Sequence, residues 1–170
     1  KISTQMAARK LRYNWFSELL EDHNLDFILI AHHKYDSVET FLINLIRGSG
    51  IHGLCGIKAV NHNIVRPLLQ ITREEIEGYL RMNSIEYCND SSNMDLKYLR
   101  NKVRHQLIPL LKEMNPSIQN TISDEIFVLD GVNKVFEQQV NEIREKLLIE
   151  TDGVYKINIS QLLEMHHLEI

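Results

Sequence analysis

The sequence predicts an α/β fold, an incomplete parallel sheet with flanking helices, followed by a mostly α-helical second domain. Three observations carry that prediction. A short apolar run, Asp26-Phe-Ile-Leu-Ile-Ala-His32, lies between two stretches of helical periodicity, the pattern of a strand covered on both faces in a parallel sheet. Charge changes along the chain: residues 1–119 carry 15 Lys/Arg against 13 Asp/Glu, whereas residues 120–170 carry 4 against 10. The helix-breaking Asn115-Pro116-Ser117 falls beside that change, so the predicted domains are residues 1–115 and 116–170.

Taken in order, Met6, Leu11, Trp15, Leu19 and Leu20 recur at helical spacing between Thr4 and Asn24, which predicts an amphipathic helix. The apolar strand follows. Asp36-Ser-Val-Glu39 opens a second helix through Phe41, Leu42, Leu45 and Ile46, ended by the glycines of Arg47-Gly-Ser-Gly50. Residues 51–63, punctuated by Gly53 and Gly56, read as loop, and Ile64-Val65 as a short strand. Thr72-Arg-Glu-Glu75 matches a capping box and starts a helix to about Met82. Asp90-Ser-Ser-Asn93 is turn-like, because such side chains mimic backbone hydrogen bonds. A further helix runs from Leu96 to Asn115. Residues 118–149 form one long helix, or two broken near Asp130-Gly131, before a strand at Tyr155–Ile159 and a helix from Ser160.

Hydrophobic content of 44% and charged content of 25% are those of an ordinary soluble domain. The longest apolar run, Phe27 to Ala31, is far too short to span a bilayer. Cys55 and Cys88 lack metal or disulfide spacing, which fits a reducing cytoplasm. The net charge of −4 argues against nucleic acid, yet Lys97, Arg100, Lys102, Arg104 and His105 are bunched. Such a patch binds phosphates on a protein of negative overall charge, or is simply a solvated helix face.

The densest group of reactive side chains is His32-His33-x-x-Asp36-x-x-Glu39-Thr40. It sits where a buried strand ends and a helix begins, the place where open α/β sheets bind ligands and where helix N–H groups receive an anion. Imidazole and carboxylate there can orient a substrate, hold a divalent metal or exchange a proton. The same spacing is also that of a simple N-cap; the residues alone do not choose. Arg9 and Arg12 share one face of the first helix, and Arg100 and Arg104 one face of a later one. Either pair suits a phosphate or a carboxylate, although taken alone each is better explained as solvated helix surface. Arg47-Gly-Ser-Gly50 offers backbone N–H groups to an anion or caps a helix. His166-His167 and the cysteines read as structural or surface residues.

In order, Ala8-Arg9-x-x-Arg12-Tyr13, Ala31-His32-His33-x-x-Asp36-x-x-Glu39-Thr40, Arg47-Gly-Ser-Gly50, Gly53-Leu54, Arg66-Pro67-Leu68-Leu69, Asp90-Ser-Ser-Asn93 and Arg100-Asn101-x-x-Arg104 with Pro109 closely resemble the tRNA(Ile)-lysidine synthetases. The likeness covers roughly residues 8–116. It implies an N-type ATP pyrophosphatase domain whose C-terminal part is residues 1–115, with residues 116–170 part of the family's helical second domain. It further implies that ATP activates C2 of the first anticodon cytidine in a tRNA-Ile with a CAU anticodon. The ε-amine of free L-lysine then displaces AMP.

Carried over by position, Arg12, His32, Asp36 and Arg104 form the reaction centre. Arg12 and Arg104 would neutralise phosphate charge. Asp36 would hold Mg²⁺ or the lysine ammonium, and His32 would orient a neighbour or take the amine proton. Arg9, Arg47 and Arg100 would contact phosphate or tRNA. The family's Ser-Gly-Gly-x-Asp-Ser phosphate loop does not occur in this sequence. The expectation is a chain that starts within the nucleotide domain, is inactive alone, and self-associates as a homodimer through exposed strand edges. Two alternatives are a 2-thiocytidine synthetase, which the isolated cysteines disfavour, and a non-catalytic tRNA-binding module using the basic helix alone.

Overall fold

The computed structural model describes residues 4–88, 95–151, 154–157 and 159–160. Helix α1 spans Thr4–Asp22 and ends where Asn24 turns into the left-handed region at φ 49°, a conformation asparagine tolerates better than most residues. Strand β1, Ile28–Leu29, pairs in parallel with β3, Ile64–Val65. Strand β2, Val60–Asn61, pairs antiparallel with β3, giving the order β1-β3-β2. The parallel pair is the one expected. The antiparallel edge arises because only His62 and Asn63 separate β2 from β3, and two residues make a hairpin but not a crossover.

The expectation that the first strand is covered on both faces is not met: Leu29 is 69% exposed and Phe27 58%. The apolar stripe of α1 likewise lies open at Leu11 and Trp15. Only two residues of β1 pair, and none of the described elements packs over that side.

Helix α2, Lys34–Ile46, is central. A one-turn helix α3, Ile51–Leu54, stands where loop was expected. Helix α4, Arg73–Met82, begins with the predicted capping box, Thr72 to Glu75. The turn expected at Asp90–Asn93 lies outside the described residues. The helix expected after Leu96 runs as α5, Leu99–Lys102, a π-helical turn, Val103–Leu107, and α6, Ile108–Met114. Pro109 explains the wide turn. Its ring would crowd the carbonyl four residues back, and the turn relieves this as the Ile108 N–H reaches back to the Val103 carbonyl.

Helix α7, Ile118–Leu147, is unbroken through Gly131. One interior glycine costs about 1 kcal/mol against alanine, too little to end a long helix, and Lys134 pairs with Asp130 across it at 2.6 Å. After α7 comes the hairpin of β4, Leu148–Thr151, and β5, Val154–Ile157. The helical reading to 149 hid the first of these strands. The helix from Ser160 and His166-His167 fall almost wholly outside the described residues.

The core joins Val38, Leu42 and Ile43 of α2 to Val103 of the π turn, Ile108 of α6, and Ile122 and Ile126 of α7. Burying each such side chain contributes on the order of 1.5–3 kcal/mol. Helix α2 is therefore clamped between α5–α6 and the first half of α7, and its N-terminus is held rigid at the end of β1. Among the described residues, no helix is long and apolar enough to cross a membrane.

Candidate active site

The site is built on the first two turns of α2. His33 caps the helix: its Nδ1 accepts from the Tyr35 N–H at 3.2 Å. Asp36 completes a capping box, its Oδ2 accepting from the His33 N–H at 2.9 Å. The capping explanation of Asp36 is thus realised, but for one oxygen only. Its Oδ1 faces two guanidiniums, Arg104 Nη2 at 3.7 Å and Arg100 Nη1 at 3.9 Å.

One turn further, Glu39 is 2% exposed although fully charged carboxylates are rarely buried unpaired. Arg104 meets it with both prongs, Nε on Oε1 and Nη2 on Oε2, the latter at 3.0 Å. This is the bidentate fork that guanidinium and carboxylate make best. Arg104 is held still more firmly cationic, first by that hydrogen bond and with burial opposing it. Arg100 completes the group: Nη2 donates to Thr40 Oγ1 at 2.9 Å, and Nε lies 3.7 Å from Glu39. Thr40 Oγ1 in turn donates to the Asp36 carbonyl at 2.8 Å.

His32, at the carboxyl end of β1, is half-buried. Its Nδ1 accepts from Arg66 Nε at 3.0 Å, and Arg66 Nη1 donates to the Lys58 carbonyl at 2.8 Å. Burial pulls the His32 pKa below the ordinary imidazole value. Asp36 opposes this, and Arg66, Arg100 and Arg9 add to the lowering.

The structure therefore brings together His32, Asp36, Arg100 and Arg104. Arg9, on exposed α1, stands at the margin: it donates to the Tyr13 hydroxyl at 3.1 Å and stacks 4.7 Å over that ring, yet still acts on His32. Arg12 is not brought in; it is exposed on α1 without a hydrogen bond or ion pair among the described residues. Arg47 is exposed at the far end of α2, as its C-cap, roughly 16 Å along the helix from Asp36 by its rise per residue.

Three contributors, Glu39, Thr40 and Arg66, stood within the motifs read from sequence but were given no role there. Glu39 was signalled by a carboxylate beside Val38 and Leu42 on the buried stripe of a helix. Arg66 was signalled by its place directly after the second parallel strand. Thr40 was signalled only by its place directly after Glu39 in the same motif.

Magnesium at Asp36 does not fit this arrangement. One carboxylate oxygen is spent on the His33 N–H and the other looks onto two cations. Among the described residues, no group of three or more His, Cys, Asp or Glu side chains is placed to hold a metal.

Fold and site define an α/β protein with charged groups converging at the carboxyl ends of adjacent parallel strands. The model of the PP-loop domain matches residues 1–111, and the chain belongs to that family. It is 45% identical over 148 residues to the tRNA(Ile)-lysidine synthase of Bacteroides thetaiotaomicron, covering 87% of this chain and 35% of that protein. It is 46% identical over 147 residues to the tRNA(Ile)-lysidine synthase of Porphyromonas gingivalis strain W83, covering 86% of this chain and 32% of that protein. The tRNA(Ile)-lysidine synthase of Francisella tularensis strain SCHU S4 is 36% identical over 162 residues, covering 93% of this chain and 40% of that protein. The chain thus spans about a third of the length of the curated relatives it matches.

Proposed function

We propose that the intact protein is a tRNA(Ile)-lysidine synthetase, a carbon–nitrogen ligase that joins free L-lysine to C2 of the first anticodon cytidine of tRNA-Ile(CAU). The observation that carries the reading is the Asp36–Glu39–Arg100–Arg104 cluster, which lies within a stretch shared at 45% identity with a protein of that name. ATP is the activating substrate: the cytidine oxygen attacks the α-phosphorus and pyrophosphate leaves. The lysine ε-amine then attacks C2, and AMP departs with the C–O bonding pair.

The cluster suits both halves of that chemistry. Arg100 touches the carboxylates only at 3.7–3.9 Å, so an arriving phosphate can draw its guanidinium away without breaking a tight ion pair. Asp36 Oδ1 then turns to an ammonium, while Arg104 stays on Glu39 and keeps the helix pair in register. Arg9, Arg12 and Arg47 are the outer contacts to phosphate or tRNA in this proposal. A domain division at residue 115, a cytoplasmic location and a homodimer paired through the open edge of β1 belong to it as well. A sulfur-transferring relative is disfavoured because its cysteine pair has no counterpart in Cys55, which is buried, and Cys88, which is exposed.

The test is a modification assay with the intact protein, unmodified tRNA-Ile(CAU), radiolabelled lysine, ATP and Mg²⁺. ATP-dependent label in the tRNA, lost in Asp36→Ala, is the expected result. ATP cleavage to AMP with no lysine incorporation would move the substrate elsewhere. Full activity of Asp36→Ala would remove the cluster from the reaction.

A further inference from the structure

Arg66 is a buried cation with an unusual set of partners. It is 6% exposed, follows β3 directly, and anchors its own N–H on the Ala59 carbonyl at 2.8 Å. Its side chain donates to His32 Nδ1 and to the Lys58 carbonyl, and among the described residues no carboxylate pairs with it. Buried charges are normally neutralised by an opposite charge; this one is spent on an imidazole.

The chemistry of that contact has one solution. A guanidinium does not give up its proton in a protein, so Arg66 Nε is always the donor and His32 Nδ1 always the acceptor. A neutral imidazole carries one ring proton, which must then sit on Nε2. We infer that Arg66 is a positioning residue that fixes His32 as the neutral Nε2–H tautomer, so that His32 donates a hydrogen bond to an anionic oxygen instead of accepting a proton.

The surroundings agree from every element that bears on the ring. Among the described residues, Asp36 of α2 is the only anion acting on the ring; Arg66 after β3, Arg100 of α5 and Arg9 of α1 are all cations, and burial also disfavours imidazolium. Protonating Nδ1 would break the Arg66 contact and set two cations face to face. The chemical class such a donor serves is a phosphate oxygen of a nucleotide or the oxyanion of a leaving nucleotide. No proton changes hands at His32, so the amine proton leaves to an acceptor other than this imidazole. The use assigned to the donor rests on the proposed reaction; the tautomer does not.

The experiment has two arms. In the first, the intact protein labelled with ¹⁵N-histidine is read by long-range ¹H–¹⁵N correlation. The expected pattern for His32 is a protonated Nε2 and a bare Nδ1 at neutral pH. Arg66→Met should give mixed tautomers and an imidazole that titrates at higher pH. A protonated Nδ1 in the unsubstituted protein overturns the inference, and that spectrum decides even if Arg66→Met does not fold. In the second arm, lysine incorporation is compared for three variants. His32→Gln places an amide N–H near the Nε2 position and should lose about tenfold. His32→Asn and His32→Ala should lose on the order of a hundredfold, the usual effect of removing a donor to a developing oxyanion. Equal loss in all three would overturn the donor role assigned to His32. A Nε2–H spectrum without lysine incorporation in any protein dismisses the reaction but keeps the tautomer; the converse dismisses the tautomer alone.

Discussion

Replacing Arg104 by methionine removes the cation that faces Glu39 while keeping an unbranched apolar stem of similar course. Glu39, with a side chain 3% exposed, then holds a desolvated carboxylate whose nearest remaining cation is Arg100 at 3.7 Å. Breaking a buried ion pair from one side costs about 3–5 kcal/mol; Arg100 places this case near the lower end, ~3 kcal/mol. Replacing Glu39 by glutamine is milder. The Arg104 side chain is 24% exposed and has Asp36 at 3.7 Å, and the amide oxygen still accepts one bond, so the loss is that of one charged hydrogen bond, ~1.5–2 kcal/mol. The double variant should be more stable than Arg104→Met alone, since it no longer buries an unpaired charge. Urea unfolding of the four proteins at neutral pH, followed by circular dichroism, gives the complete cycle. If Glu39→Gln costs as much as Arg104→Met, or if the coupling falls below about 0.5 kcal/mol, the additivity limit of separate sites, the two residues are not one buried unit.

Two further perturbations follow from local geometry. Gly56 has φ +65° and an added Cβ would lie 2.3 Å from Ser37 Oγ, whereas Gly48 has φ +72° with nothing within 4 Å. Alanine at either should cost about 1–2 kcal/mol through the left-handed backbone, with an additional loss only at Gly56; equal melting shifts would refute the clash. His32 has a pKa below its ordinary value, so the unfolded chain takes up that proton first. Its contribution to stability is complete above the unfolded value, about 6.5, and is lost as the pH falls towards the lower folded value. The slope of urea midpoint against pH over that window should flatten in His32→Gln, and an unchanged slope would assign the acid loss to other groups.

What was legible in the sequence was what neighbours decide. Thr72 and Glu75 cap α4 because the motif is complete within four positions, and the order of short motifs from Arg9 to Arg104 marked the family before any fold was in view. Asp36 was legible as a helix cap or as a functional carboxylate; one of its oxygens makes the cap and the other faces Arg100 and Arg104. What was hidden lies between residues far apart. Glu39 and Arg104 are 65 positions apart, and His32 and Arg66 are 34 apart; periodicity carries no record of such pairs. The exposed stripe of α1 shows the limit from the other side. Leu11 and Trp15 announce a buried face, but spacing alone does not say what is there to bury it.

The π-helical turn at Val103–Leu107 works as a vernier between two scales. A helix with a strict 3.6-residue repeat presents residues one position apart at about 100° to each other, so the face carrying Arg100 and Arg104 dictates where Ile108 and Leu111 point. Core and charge cluster would then have to be satisfied by one rigid rule. The surplus residue in the wide turn decouples them, letting the upstream arginines be aimed at α2 and the downstream side chains at the core independently. Deleting the exposed Gln106 would give a more regular helix, and the molecule would then keep its arginine alignment or its packing, but not both.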